Sequence, residues 1–133
     1  MKPPVDTIKV SSKGRDVLIR AKSRTGLGQW NELLRWAFCI SLSNPSEPSF
    51  TEKFDQGIEP IEWKTFAGEH DEIYSACFWL RASQQGINLE DKQDVAAYFR
   101  AHMERGVRSL RPMKSISALM GIKLGDTNDQ GRK

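Results

Sequence analysis

Two cysteines, two histidines and no long apolar run leave little material for several kinds of chemistry in these 133 residues. Cys39 and Cys77 stand far apart in apolar segments, so both are expected to pack as small free thiols, not as a disulfide or metal site. The longest apolar stretch, Trp36 to Ile40, is much too short to cross a bilayer, and the opening Met1-Lys-Pro-Pro-Val-Asp6 lacks the apolar region of a signal peptide. A cytoplasmic protein without a membrane partner is the expectation. Gly26 and Gly28 come without the lysine and hydroxyl of a phosphate-binding loop. His70 and His102 fall on separate predicted helices. In Glu69-His70-Asp71-Glu72, consecutive helical residues point in different directions, so at most two could share one ion. Their expected role is to complement a helix dipole. No catalytic residue, metal or cofactor is therefore expected, and the protein reads as a non-enzyme. A metal-dependent nicking nuclease would need those acids to converge with another carboxylate.

What is present is charge, unevenly placed. The chain is 38% apolar and 28% charged, enough for one globular domain with a modest core. Its net charge is only +3. Yet residues 1 to 36 hold eight basic and three acidic side chains, residues 37 to 99 four and eleven, and residues 100 to 133 again eight and three. Two basic ends around an acidic middle are the asymmetry of a protein that meets a polyanion with part of its surface.

Asp6 to Val10 alternates like a short strand, and Ser11-Ser12 is a helix N-cap pair. A basic helix is expected over Lys13 to Arg24, with Val17, Leu18 and Ala21 inward and Thr25-Gly26 as its stop. From Gly28 to Leu42 a second helix is apolar around most of its circumference. Two proline-containing stretches, Ser43 to Ser49 and Asp55 to Pro60, predict a long surface loop. Ile61 to Phe66 reads as a short strand or an extended lead-in. A third helix follows, with Ile73, Ala76, Cys77 and Leu80 as its inward stripe. A fourth starts at Asn88 and ends before Pro112, burying Val95, Phe99, Met103, Val107 and Leu110 while Arg100, Arg105, Arg108 and Arg111 face out. The fold class is thus mainly α: a compact helical domain over residues 1–112 with a short N-terminal strand, and a flexible tail over 113–133.

A strand followed by two helices is the pattern of ribbon-helix-helix DNA binders, in which strands of two subunits pair and enter the major groove. On that pattern Thr7 and Lys9 reach the groove, and Lys13, Arg15, Arg20, Lys22 and Arg24 contact phosphates. Arg105 and Arg108 complete the candidate DNA-contacting set. The second helix carries more apolar surface than one small core needs, so Trp30, Leu34, Trp36 and Phe38 are expected between subunits, with Gly26 and Gly28 allowing close backbone approach.

Lys22-Ser-Arg-Thr-Gly-Leu27, Trp30, Leu33 to Leu42, Trp63-Lys-Thr-Phe-Ala-Gly-Glu69 with Tyr74, and Arg100 to Leu110 together resemble the DndE family, small subunits of the bacterial DNA sulphur-modification (phosphorothioation) system. The resemblance runs from about residue 8 to residue 111. It maps a Lys-Ser-Arg-Thr-Gly segment onto Lys22 to Gly26 and an Arg-Gly-Val pattern onto Arg105, Gly106 and Val107. It implies a helical homotetramer that binds duplex DNA, preferring nicked duplex, beside partner proteins that carry the sulphur-transfer and ATPase chemistry. The alternative is a ribbon-helix-helix transcriptional regulator that reads an operator through Thr7 and Lys9.

Overall fold

A serine hydroxyl and a left-handed glycine bound the first helix. In the computed structural model, which describes residues 2–49 and 55–113, Ser11 Oγ accepts from Gly14 N at 3.1 Å, and Gly26, at φ 76°, returns its N–H to the Lys22 carbonyl. Between them runs α1 (Ser12–Thr25), with Val17, Leu18 and Ala21 buried as expected. Helix α2 (Trp30–Ser43) follows. The chain then reaches β2 (Ile61–Glu62), α3 (Trp63–Ala67), a 3-10 turn at Gly68–His70, α4 (Asp71–Gln84) and α5 (Lys92–Ser109). Asp91 caps α5 by accepting from the N–H groups of Gln93 and Asp94, so this helix begins later than the expected Asn88.

The N-terminal strand, β1 (Thr7–Ile8), pairs antiparallel with β2 of the same chain, Thr7 opposite Glu62 and Ile8 opposite Ile61. A ribbon shared between subunits is thereby replaced on that edge by an intrachain pair. The extended reading of Ile61 to Phe66 holds for its first two residues only. Trp63 N donates to the Asp6 carbonyl, after which the chain turns helical and brings Trp63 and Phe66 inward at i, i+3 spacing.

Helix α2 is apolar around its circumference because it runs through the middle of the molecule. Leu34 and Phe38 are 0% exposed, and the Phe38 ring meets Phe66, Tyr74 and Phe99 at 5.7, 6.1 and 5.1 Å. These two residues are core, which corrects their expected place between subunits. Along α2 lies α5, whose stripe Val95, Phe99, Met103, Val107 and Leu110 is buried as predicted. The helices approach closely at Gly106, where an added Cβ would run into the Ala37 carbonyl.

Helix α4 turns its other face inward. Ser75, Phe78 and Ala82 are buried, whereas Ile73 and Leu80 are each 61% exposed and Cys77 is exposed as well. The helix is apolar on both sides, and the larger rings decide. Phe78 packs on Tyr98 and Phe99, at 5.8 and 5.4 Å, and carries the helix round with it. Cys77 is therefore a surface thiol, while Cys39 is half-buried. Among the described residues no helix is long and apolar enough to cross a membrane. The predicted tail from Lys114 onward lies outside the described residues, as does the Phe50 to Phe54 part of the predicted loop.

Candidate nucleic-acid interface

With Val17, Leu18 and Ala21 fixed in the core, the charged side chains of α1 are held outward. At 3.6 residues per turn, Lys13, Arg20 and Arg24 fall on one flank, and Arg15 and Lys22 about half a turn away. The first flank faces the end of α5. There Lys13, Asp16, Val17, Arg20, Arg24 and Arg111 line a shallow cleft of about 330 Å³, in which four cations meet one carboxylate. The Arg24 guanidinium donates to the carbonyls of Arg111 and Met113 at 2.8 and 3.4 Å, which locks the two basic ends of the sequence together. Such a concentration of one sign on a rigid element attracts phosphate.

The expected DNA-contacting set is thus divided. Lys13, Arg20 and Arg24 share the cleft, Arg15 and Lys22 are exposed elsewhere on α1, and Lys9 is exposed beyond β1. Arg108 is half-buried. Arg105 does not face out: its Nε donates to Ser41 Oγ at 2.9 Å, its Nη2 to the Ser41 carbonyl at 2.7 Å and its Nη1 to the Ser46 carbonyl at 2.8 Å. Arg111 was absent from the expected set. The sequence places it only among the outward-facing arginines of the last helix, three residues after Arg108 and just before Pro112.

Arg105 belongs to a group of arginines spent on helix ends. The last carbonyls of a helix lack intrahelical partners and carry the negative end of its dipole, so a guanidinium from another element satisfies both needs. Arg35 Nε donates to the Phe66 carbonyl at 2.6 Å and ends α3. Arg81 reaches the carbonyls of Leu42, in the last turn of α2, and of Asn44 and Ser46 just beyond it, at 2.7 to 2.9 Å, and pairs with Glu47 at 3.0 Å. Burial, which raises the Glu47 carboxyl, is outweighed by the Tyr98 hydroxyl and Arg81, which hold it below the usual carboxylate range. Tyr98 donates to Glu47 at 2.6 Å and is itself pushed up to about 12 by burial and that carboxylate. Beside them His102, 0% exposed, meets Ser41 Oγ through Nδ1 at 2.8 Å. Burial, with Arg105 and Arg81 nearby, lowers this histidine to about 4, so it is neutral at physiological pH.

The glycines and tryptophans expected between subunits divide too. Gly26 is exposed and serves as the left-handed stop of α1, and a Cβ on Gly28 would meet open space. Neither marks a close backbone approach within the chain. Trp30 and Trp36 are half-buried, and Trp36 lines a recess with Leu27, Cys39 and Tyr74. Glu69 to Glu72 lie in the 3-10 turn and the first turn of α4. Among the described residues no group of three or more histidine, cysteine or acidic side chains is arranged to hold a metal ion.

This architecture matches a solved one. It is similar to the crystal structure of DndE from Escherichia coli B7A, a protein involved in DNA phosphorothioation modification, with a TM-score of 0.64 over 80% of this chain and 97% of that one. The two are 22% identical, so the likeness is one of fold. No curated protein matches the chain. The family model of the DNA sulphur modification protein DndE matches residues 7–118, from β1 to beyond the end of α5. The chain belongs to the DndE family.

Proposed function

We propose that the protein is a non-enzymatic DNA-binding subunit of the DNA phosphorothioation machinery. In this reading it works in the cytoplasm as a homotetramer beside the other proteins of that system, holds duplex DNA by its backbone and prefers nicked duplex. The observation that carries the reading is the α1–α5 cleft, which Lys13, Arg20, Arg24 and Arg111 line together with Asp16. Cations on a rigid helix flank suit phosphates, which carry no sequence information. A nick lets the duplex bend at little cost, so a binder of backbone shape gains more contacts there than on an intact rod. Family membership supports the role in DNA sulphur modification. For self-association, the half-buried Trp30 and Trp36 and the exposed Ile73 and Leu80 of α4 supply the outward apolar surface that the buried Leu34 and Phe38 do not.

The test is a gel-shift comparison of intact, nicked and random-sequence duplexes of equal length at two salt concentrations. Tighter binding to nicked duplex, independent of sequence and weakened by salt, is the expected result. A strong preference for one intact sequence would replace this reading with an operator-reading regulator.

A further inference from the structure

A second cleft, of about 700 Å³, lies between the N-terminal segment and the first half of α5 and shares no residue with the α1–α5 cleft. Val95, Phe99 and Trp79 contribute to its lining. Val95 and Phe99 are buried, and Phe99 is wedged against Phe38 and Phe78 at 5.1 and 5.4 Å, so this part of the wall is rigid. Trp79 is fixed twice: its ring packs edge-on against Phe78 at 5.6 Å, and its Nε1–H donates to the Lys2 carbonyl at 2.9 Å. That bond also ties down the stiff Lys2-Pro3-Pro4 strap along one side of the cleft. The charged lining consists of Lys2, Lys9, Lys92 and Arg100 against Asp6 and Glu90.

We propose that this cleft binds a nucleoside phosphate, with the base on the half-buried Trp79 ring and the phosphate among Lys9, Lys92 and Arg100. An aromatic ring held in place beside cations, in a volume within the roughly 300–1,000 Å³ of small-molecule sites, suits an unstacked base with its phosphate. The carboxylates of Asp6 and Glu90 supply acceptors for the amino groups of a base. The same chemistry can come from a free nucleotide or from an unpaired nucleotide at a DNA end. This site stands on its own lining and does not depend on the α1–α5 cleft binding DNA.

The test follows the Trp79 indole N–H in nitrogen-15 correlation spectra of the full chain, assigned through Trp79→Phe. The protein is titrated with deoxyadenosine monophosphate, deoxyadenosine, inorganic phosphate, and duplexes with a blunt end or a one-nucleotide overhang. A response to the monophosphate at about a tenfold lower concentration than to nucleoside or phosphate alone supports the site and a free nucleotide. A response to the overhang duplex alone supports the site and a DNA source. Lys92→Glu, at the first position of α5 where an acid suits the helix, raises the half-saturating concentration of whichever ligand responds by about tenfold. Ala96→Leu, which projects a larger side chain from the wall into the cleft, weakens the response. An unmoved indole in every titration, an equal response to inorganic phosphate, or a response unchanged by both variants overturns the proposal.

Discussion

The guanidinium of Arg24 donates to the backbone carbonyl of Arg111 at 2.8 Å, joining the end of α1 to the end of α5 across 87 positions of sequence. Through this bond the two basic terminal blocks become one surface, in which Asp16 is the acid that lines the cleft, while Asp55 of the acidic middle reaches the start of α1 by accepting from Ser12 N at 3.1 Å. Arg20→Ala and Arg111→Ala are each expected to weaken DNA binding about equally for all sequences. Each is also expected to lower the slope of log affinity against log salt by about one. Arg105→Ala leaves that slope unchanged, because its guanidinium is held by Ser41 and Ser46. A salt series of binding isotherms checks all three.

Gly106→Ala is expected to destabilise the fold by about 3 kcal/mol, since the new methyl must force α5 away from the Ala37 carbonyl along the main helix contact. Gly28→Ala, with open space around its Cβ, serves as the control. Urea denaturation of both variants measures the difference.

Glu104, 1% exposed on α5, accepts from both the backbone N–H and the hydroxyl of Ser11, at 2.9 and 2.8 Å. The same hydroxyl caps α1. Ser11→Ala removes the cap and one of the carboxylate's donors, at an expected cost of about 2 kcal/mol. In a double-mutant cycle with Glu104→Gln the two changes should be non-additive by about 1 kcal/mol.

His102 makes stability depend on pH. Its folded value is lowered to about 4, chiefly by burial, while the unfolded histidine titrates near its ordinary 6.5. Below that value the unfolded chain takes up a proton that the folded chain refuses, so stability is complete at neutral pH and falls as the pH drops from 6.5 towards 4. Between pH 7 and pH 5 the loss should be about 2 kcal/mol. His102→Asn should remove most of that dependence, read as the change in urea midpoint between the two pH values.

Ile73→Lys and Leu80→Lys place charge on an exposed face of α4 and leave the folded monomer intact. Sedimentation velocity should show both variants shifted to smaller species, whereas substitutions at the buried Leu34 or Phe38 reduce stability first.

Caps and periodicity are local, and what depends on them was legible in the chain alone. Ser11 and Gly26 bound α1, the stripe from Val95 to Leu110 is the buried face of α5, and the Lys22-to-Gly26 and Arg105-to-Val107 segments carried the family resemblance. Tertiary structure decided the rest. Helix α4 is apolar on two sides, so only the packing of Phe78 on Tyr98 and Phe99 chose which side is inside. Strand β1 found its partner more than fifty residues away in β2. Above all, arginines that look alike in sequence took different roles. A guanidinium is drawn to phosphate and to a helix's last carbonyls by the same charge and the same donors, and only the fold determines whether such a carbonyl lies within its reach. Arg35, Arg81 and Arg105 found carbonyls at the ends of α3 and α2, Arg24 found those at the end of α5, and Arg20 was left facing the cleft.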